Sequence, residues 1–427
     1  MIKGSNRLKT WRWIVVSLLL LDIFAIGYFS YLYLDRIPNK LHVVVGETES
    51  VELPGGTSVE QTYERGDNVE VSSVETMKVV NNQSGFTMTS NRTGNYSVSV
   101  KLFGMIPVKK VSVQVVEKMK LSPGGEPIGI YVATNGLLVL DTAEIQGEDG
   151  LTYSPGENIL KTGDYILEWN HQPVTTIESF NRALQKTGNK KVSVKIRRGK
   201  EVIEVAVKPI RATDRSYKIG AWIREDTQGI GTLTYVTANG GFGTLGHGIT
   251  DSDTGELLDL QGGELYQTKI LGILRGEKGE PGELRGYINM VAKNQIGTIK
   301  KNTALGVFGT IQPELLGEYA KEFLPVGMKQ EIKKGKAYIY TKLSGEIKKY
   351  EIQIEKTYLN SKDNKSMVIH VTDSELLART GGIVQGMSGS PILQDGKIIG
   401  AVTHVMVDDP TRGYGVFIEN MLSFSEG

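Results

Sequence analysis

The most informative segment of the sequence is a serine flanked by glycines near the C-terminal end of the chain. It reads Gly386-Met387-Ser388-Gly389-Ser390-Pro391. The glycines permit backbone angles that a side chain forbids, so Ser388 can lie on a tight, open loop. They also let successive amides point at one spot, where a tetrahedral oxyanion can be stabilised. The pattern indicates a nucleophilic serine, and the glycine-x-serine-glycine spacing favours Ser388 over Ser390.

A nucleophilic serine needs a general base, and His247 is the strongest candidate among the five histidines. It follows the β-like run 232–236 and lies within the glycine-rich stretch 240–248. A histidine at the end of a strand, surrounded by glycine, is open to substrate and suits proton transfer near neutral pH. His404, the rival base, lies in an apolar strand after the serine loop, and the family resemblance given below implies a packing or pocket role for it.

The acid that orients the base must be one of a few aspartates. Asp373 ends the strand-like run 367–373, whereas Asp363 lies in a polar turn, and Asp251 and Asp253 closely follow His247. Turn aspartates commonly bond their own backbone. A carboxylate at the end of an apolar strand is better placed to meet an imidazole. We therefore predict Asp373, with Asp363 as the alternative.

The order His, Asp, Ser and the serine loop resemble chymotrypsin-like serine peptidases with two β-barrels. More narrowly, nearly the whole chain resembles the stage IV sporulation protein B peptidase family of endospore-forming bacteria. The segments that carry this resemblance are 244–248, 381–391 and 400–405. The resemblance implies a triad of His247, Asp373 and Ser388, and an oxyanion hole formed by the amides of Gly386 and Ser388. The residue six positions before the serine, which is acidic in trypsin-type enzymes, is Gly382, so a trypsin-like preference is not supported.

Composition agrees with a mainly β, multidomain protein. The chain has 427 residues, 51 glycines and many short β-like runs, which favours a β architecture with numerous turns. A formal charge of +1 gives no reason to expect a nucleic acid partner. The absence of cysteine excludes disulfides, thiol catalysis and cysteine metal sites. We predict no cofactor and no metal.

An apolar run at residues 13–34 predicts a membrane anchor. As a helix its 22 residues would span about 33 Å, enough for a bilayer core. Basic residues precede the run, so residues 1–12 form a cytoplasmic tail and the rest is exported. A carboxyl group at Asp22 costs roughly 2.5–3.5 kcal/mol on insertion, which the surrounding apolar side chains can offset. We expect an uncleaved anchor, and a cleaved signal peptide is the alternative.

Three domains are predicted to follow the anchor. Residues 35–117 alternate in short strands and predict a small β-rich spacer. Residues 118–210 resemble a PDZ domain, with a turn and strand at 154–174 and then a helical pattern of Ile177, Phe180 and Leu184. Residues 211–427 form the peptidase.

The predicted PDZ domain offers a peptide-binding edge at Ile128, Gly129 and Ile130. A peptide that adds to an edge strand gains main-chain hydrogen bonds, and exposed amides can hold a carboxylate. The alternative is a PDZ fold that acts only as a spacer.

Two further glycine motifs carry no predicted chemistry. Residues 241–246 fit G-x-G-x-x-G, but turn residues follow instead of the helix that a dinucleotide site needs. Residues 276–284 contain three collagen-like triplets, too few for a triple helix, so we expect a flexible loop.

The resemblance implies a membrane-anchored serine endopeptidase that makes limited, regulatory cuts. It implies self-cleavage near the N-terminus, and cleavage of a membrane-bound regulator of an intramembrane protease that activates a late sporulation sigma factor. The corresponding location is the space between the forespore membranes. The alternatives are a broad quality-control protease that carries a PDZ domain, and an anchored PDZ scaffold without activity.

Overall fold

The computed structural model describes residues 11–24, 27–28, 37–53, 55–62 and 77–425, which belong to two compact units. The first unit contains the chain up to Met119 together with residues 327–333 and 357–362. The second contains residues 120–326, 334–356 and the remainder from Asp363.

In the N-terminal segment, residues 11–24 form a helix, α1, and residues 27–28 are also helical. Among the described residues, no helix combines the length and the apolar character needed to cross a bilayer. Residues 25–26 and 29–34 of the predicted anchor, and residues 1–10 of the predicted tail, lie outside the described residues.

The first unit contains two β-sheets around one apolar core. Its strands are β1 (Lys40–Val44), β2 (Thr48–Glu52), β3 (Thr57–Thr62), β4 (Met77–Asn82), β5 (Gly85–Ser90), β6 (Gly94–Leu102) and β7 (Ile106–Val116). One sheet has the order β1-β7-β6-β3 and the other β2-β5-β4. Alternate residues of β7, such as Val111, Val113 and Val115, are buried, as period-two patterning requires. Each such side chain stabilises the fold by about 1.5–3 kcal/mol.

The second unit is also built mainly of strands. In chain order these are β8 (Lys120–Pro123), β9 (Pro127–Thr142), β10 (Ile145–Gln146), β11 (Thr152–Tyr153), β12 (Tyr165–Trp169), β13 (Gln172–Pro173), β14 (Val192–Arg198), β15 (Glu201–Val207), β16 (Ile210–Arg211), β17 (Tyr217–Lys218), β18 (Ala221–Val236), β19 (Gly241–Thr244), β20 (Leu260–Leu274), β21 (Glu283–Ile288), β22 (Gln295–Thr303), β23 (Gly306–Ile311), β24 (Leu324–Pro325), β25 (Gly335–Ser344), β26 (Glu346–Thr357), β27 (Met367–Val371), β28 (Pro391–Gln394), β29 (Lys397–Met406) and β30 (Asp409–Phe417).

The remaining helices are short. They are α2 (Ile177–Thr187), α3 (Leu316–Tyr319), α4 (Ser374–Thr380), α5 (Ile418–Ser425) and the 3-10 turns Ala292–Asn294, Pro313–Leu315 and Lys329–Glu331.

Two six-stranded antiparallel barrels form the body of this unit. In the first, the order is β9-β20-β22-β23-β19-β18, and pairing of β18 with β9 closes the barrel. In the second, the order is β25-β26-β27-β30-β29-β28, also closed. Inward side chains fill the first barrel, among them Ile128, Ile130 and Val132 of β9. The prediction of a mainly β protein with a double β-barrel is confirmed.

The segment that resembles a PDZ domain is inserted into the first barrel. The second half of β9 pairs with β12, and β14 and β15 extend the same sheet. Thr176 caps α2 and forms a capping box with Ser179, while Phe180 and Leu184 are buried, in agreement with the predicted helical pattern. The first half of β9, however, belongs to the barrel. The predicted PDZ domain, which begins at residue 118, therefore contains a barrel strand as well as the inserted module.

The predicted peptide-binding edge at Ile128, Gly129 and Ile130 is wrong. These residues pair with β18 on one side, at Gly231 to Gly229, and with β20 on the other. Ile128 is fully buried. Because both edges of this strand are already paired, no peptide can add to it. The glycine-containing β pattern predicts an edge strand, whereas residues 128–130 lie in a central strand of the barrel.

Candidate active site

Ser388 lies on the loop between α4 and β28, in a backbone arrangement that depends on glycine. Gly386 has φ +94 and Gly389 has φ +96. A Cβ on Gly389 would lie 2.0 Å from the Thr232 carbonyl oxygen. A side chain at that position would therefore push the loop away from β18.

Thr232 of the first barrel holds this loop. Its amide donates to the carbonyl of Ser388 at 2.9 Å, and its hydroxyl donates to the carbonyl of Gly386 at 2.7 Å. Thr232 is fully buried, and its own carbonyl accepts from the Thr244 hydroxyl. Sequence reasoning missed this residue, which lies in the β-like run 232–236 together with a second threonine, Thr234.

The orientation of the loop peptides leaves two amides available. The carbonyl of Gln385 accepts from the Leu284 amide, and the carbonyl of Met387 accepts from the Ser390 amide, both at 2.9 Å. In a trans peptide the next N–H points the opposite way. The amides of Gly386 and Ser388 therefore face away from these partners, and within the described part of the chain neither has a hydrogen-bond acceptor. This arrangement can stabilise an oxyanion.

His247 follows β19 and is held by its own loop. Its Nδ1 lies 2.9 Å from the Gly248 carbonyl oxygen. If Nδ1 donates there, Nε2 keeps its lone pair and can accept a proton. Burial lowers the pKa of His247, partly opposed by the bond to Gly248, so the imidazole is neutral at neutral pH. A neutral imidazole is the form that a general base needs.

His247 and Ser388 line the same two cavities, of about 600 and about 300 Å³. The hydroxyl of Ser388 donates to the Thr403 carbonyl at 2.7 Å. No hydrogen bond between Ser388 and His247 occurs among the contacts of the described residues. The side chains share a cleft in a resting arrangement, and catalytic hydrogen bonds commonly tighten only when substrate binds.

A second histidine lies beside the first. The rings of His247 and His404 have centroids 5.0 Å apart. Burial, with the nearby His247 and Lys365, lowers the pKa of His404 to about 4. Its Nδ1 is buried and has no partner among the described atoms. His404 lines the larger cavity, where the sequence placed a pocket role.

The structure does not bring Asp373 to this cleft. Asp373 is the N-cap of α4, and its carboxylate accepts from the Leu376 amide at 3.0 Å and from the Glu351 amide at 3.3 Å. It lines neither cavity. Aspartate is among the best N-cap residues, because its carboxylate satisfies a free amide of the first helical turn.

The other aspartates are also engaged locally. Asp363 accepts from the Lys365 amide at 2.9 Å, while its neighbour Asn364 lines the larger cavity. Buried Asp251 accepts from Arg224 of β18 and from two amides of its own turn. The group that contacts Nδ1 of His247 is therefore a backbone carbonyl. Sequence reasoning missed this group, because every residue carries a main-chain carbonyl and no residue type marks it.

The larger cavity has an uncharged lining. Ile383, Val384, Val405 and Val407 contribute apolar surface, and no Asp, Glu, Lys or Arg lines it in the described structure. No group of three or more His, Asp or Glu side chains among the described residues is arranged to hold a metal ion. The groups available for chemistry at the two cavities are the Ser388 hydroxyl, the imidazoles of His247 and His404, and two main-chain amides.

Comparison with known families identifies the region that contains this cleft. Residues 215–422 match the family described as SpoIVB peptidase S55. This region is a SpoIVB-type serine peptidase domain. The predicted resemblance to this family is confirmed over residues 215–422, and the protein is a hydrolase. The SpoIVB peptidase domain includes β18 to β30, and so contains His247, Asp373 and Ser388.

Two solved structures show weak similarity. The PDZ domain of the SdrC-like protein from Listeria monocytogenes is 16% identical and covers 21% of this chain and 87% of its own, with a TM-score of 0.17. A tandem from titin is 9% identical and covers 64% of this chain and 87% of its own, with a TM-score of 0.12. No curated protein matches the chain.

Proposed function

We propose that this chain is a membrane-anchored serine endopeptidase that makes limited cuts in protein substrates. The observation that carries the proposal is the shared cleft of His247 and Ser388, with the amides of Gly386 and Ser388 free of acceptors. The family match supports the reaction class.

The mechanism follows from these groups. Ser388 leaves the Thr403 carbonyl, and neutral His247 takes the hydroxyl proton as Oγ attacks the scissile carbonyl carbon. The amides of Gly386 and Ser388 stabilise the oxyanion. The protonated imidazole gives its proton to the leaving amine as the peptide C–N bond breaks. Water then attacks the acyl-enzyme with His247 again acting as base, which releases the acid and restores Ser388.

The orienting group is a separate part of the proposal. The Gly248 carbonyl is within hydrogen-bond distance of Nδ1 and can fix the tautomer of His247. The role predicted for Asp373 requires its carboxylate to leave the cap of α4 and reach the imidazole. Its contacts favour the cap, and the variants Asp373→Asn and Asp373→Ala separate the two roles.

The inserted module is proposed to help select protein partners. It joins the peptidase through β18, which begins in the module and reaches Thr232 beside the serine loop. Peptide capture by this module remains a proposal, although not through residues 128–130.

The family match also supports a sporulation role. We propose that the chain cleaves itself near the N-terminus, and cleaves a membrane-bound regulator of an intramembrane protease that activates a late sigma factor. The anchor at residues 13–34 would place the peptidase outside the cytoplasm, between the forespore membranes.

The test uses the full chain in detergent micelles, wild type beside Ser388→Ala and His247→Ala. Its N-terminal segment, added casein and the candidate regulator are followed by mass spectrometry. Fragments from wild type only, with casein cut far more slowly than the regulator, are expected. Casein cut as readily as the regulator would favour a quality-control protease. Intact substrates in all three samples would favour the inactive scaffold.

A further inference from the structure

The collagen-like loop at residues 276–282, between β20 and β21, is fixed against the peptidase, although its sequence predicts flexibility. The Gly276 amide donates to the Thr380 carbonyl at 2.8 Å, and the Gly282 carbonyl accepts from the Gln385 amide at 2.8 Å. These are main-chain contacts to the segment that precedes the nucleophile. The loop is thus part of the surroundings of the active site.

Close packing explains why this contact needs glycine. A Cβ on Gly282 would lie 2.3 Å from the Leu274 carbonyl oxygen and 2.4 Å from the Gly276 amide nitrogen. A Cβ on Gly381 would lie 2.3 Å from the Gly276 carbonyl oxygen. The Gly282 contacts lie within the loop, which therefore closes tightly on itself. The Gly381 contact shows that the loop and the segment before Ser388 approach closer at this point than a side chain allows.

Leu284, at the start of β21, completes the contact. Its amide donates to the Gln385 carbonyl at 2.9 Å, so Gln385 is held by both its N–H and its C=O. The Leu284 side chain is 2% exposed, and its Cβ lies 3.0 Å from the position of a Cβ on Gly386. The hairpin therefore supports the peptide plane between Gln385 and Gly386 by hydrogen bonding and by packing.

That peptide plane carries the Gly386 amide, which the proposed function assigns to the oxyanion hole. Gly386 has φ +94, and glycine moves between backbone regions with little steric cost. Without a partner for the Gln385 carbonyl, the plane can turn and direct the amide out of the cleft. The Leu284 amide is the described group that opposes this rotation.

We propose that the β20–β21 hairpin is the positioning element of the oxyanion hole, and that the Leu284 amide aims the N–H of Gly386 at the developing oxyanion. Leu284 is a positioning residue, since it acts through the Gln385–Gly386 peptide. This inference rests on the proposed function of Ser388.

The decisive comparison is Leu284→Pro against Leu284→Ala in the full chain. Both remove the buried side chain, but only proline removes the amide. That amide points at Gln385 and not at the β20 partner strand, so proline costs no hydrogen bond within the hairpin. The substrate is a peptide that spans a wild-type cleavage site identified by mass spectrometry, and melting temperatures verify folding.

We expect kcat of Leu284→Pro to lie about 100-fold below that of Leu284→Ala, with KM within about threefold, because losing one oxyanion donor costs about 10²–10³ in kcat. The inhibition constant of a peptide boronic acid, which forms a tetrahedral adduct, should rise in parallel with the fall in kcat/KM. A role in structure alone would not raise that constant selectively. Equal kcat values for the two folded variants would overturn the proposal.

If Leu284→Pro does not fold, a second pair of variants, Gly282→Ala and Gly272→Ala, tests the proposal. Gly282→Ala forces a clash in the loop, whereas a Cβ on Gly272, in the same hairpin, would meet nothing within 4 Å. Gly282→Ala should lose kcat and boronate affinity together, and Gly272→Ala should keep both. Indistinguishable kinetics would overturn the proposal. If the proposed function itself is wrong, the wild-type protein will show no cleavage that Ser388→Ala abolishes. That outcome differs from both results above.

Discussion

The hydroxyl of Ser388 donates to the main-chain carbonyl of Thr403, 2.7 Å away, on the strand that also carries His404. The nucleophile is thereby held by the second barrel, while His247 comes from the first. Substrate binding must free the hydroxyl before attack. This costs about 0.5–1.5 kcal/mol, the net value of one neutral hydrogen bond.

Replacing the nucleophile should separate activity from stability. Ser388→Ala removes the attacking atom, so kcat should fall by at least about 10⁴-fold. The free energy of unfolding should change by no more than about 1.5 kcal/mol, since one hydrogen bond is lost. Peptide cleavage and thermal melting measure the two quantities. Residual cleavage near the wild-type rate would reject Ser388 and direct attention to Ser390.

The midpoint of the acid limb of the pH–rate profile should lie below the usual pKa of histidine. Burial lowers the pKa of His247, so the neutral, active imidazole persists to lower pH. The midpoint for loss of kcat/KM should therefore fall below 6.5. Initial rates between pH 4 and 8 give the midpoint. A midpoint above 6.5 would mean that a group other than the described His247 controls the limb.

His404 should make the fold sensitive to acid. Its pKa is lowered to about 4, mainly by burial, so below pH 6.5 the unfolded chain takes up its proton first. The contribution of His404 is complete above pH 6.5 and is lost as the pH falls toward 4. His404→Gln should thus show a smaller fall in melting temperature between pH 7 and 4.5 than wild type. Equal falls would contradict the assignment.

Two substitutions at Asp373 distinguish helix capping from catalysis. Asparagine caps helices as well as aspartate does. Asp373→Asn should therefore leave the free energy of unfolding nearly unchanged and keep kcat within about twofold of the wild-type value. Asp373→Ala should lose about 1 kcal/mol of stability with little change in kcat. A fall in kcat of about 10⁴-fold in Asp373→Asn would instead establish the triad predicted from the sequence.

We expect the hydroxyl of Thr232, in the first barrel, to position the serine loop. Thr232→Val keeps the shape and the amide but removes the hydroxyl that donates to the Gly386 carbonyl. We expect a loss of about 1–3 kcal/mol in stability and about tenfold in kcat, because a buried carbonyl loses its donor. Thr232→Ser, which keeps the hydroxyl, is the matched control. Equal kcat in the two variants would mean that the hydroxyl does not position the loop.

Local patterns in the sequence predict the double β-barrel, the serine loop and the role of His247. Period-two burial in β25 and β7, and the glycines around Ser388, are local signals that the structure retains. The cap at Asp373 was equally local, since Asp373-Ser374-Glu375 is a helix start. The apolar run just before it also predicts a strand that ends at Asp373, so the two local signals overlap at this residue.

The contacts that sequence reasoning missed are pairings over long distances. Nothing near Ile128 indicates that β18 and β20 occupy both of its edges. The packing of residues 276–282 against Gln385 likewise joins segments about a hundred residues apart, and glycine spacing alone does not distinguish a tightly packed loop from a mobile one. Partner strands of this kind follow from topology, not from local propensity.

The insertion within the first barrel has a consequence for how the chain folds. Ile128 pairs with Gly231, 103 residues later (231 − 128), so closing this barrel from an unstructured chain means closing a very long loop. Once the inserted module has folded, its own strand pair, Thr142 with Ala221, already holds the two ends side by side. The remaining pairs of β9 with β18 can then form one after another, as in a β-hairpin. The entropy cost of closing the long loop has already been met by the folding of the module. The module would act as a template for barrel closure, and mutations that slow its folding would delay appearance of the active site without touching any residue in the cleft.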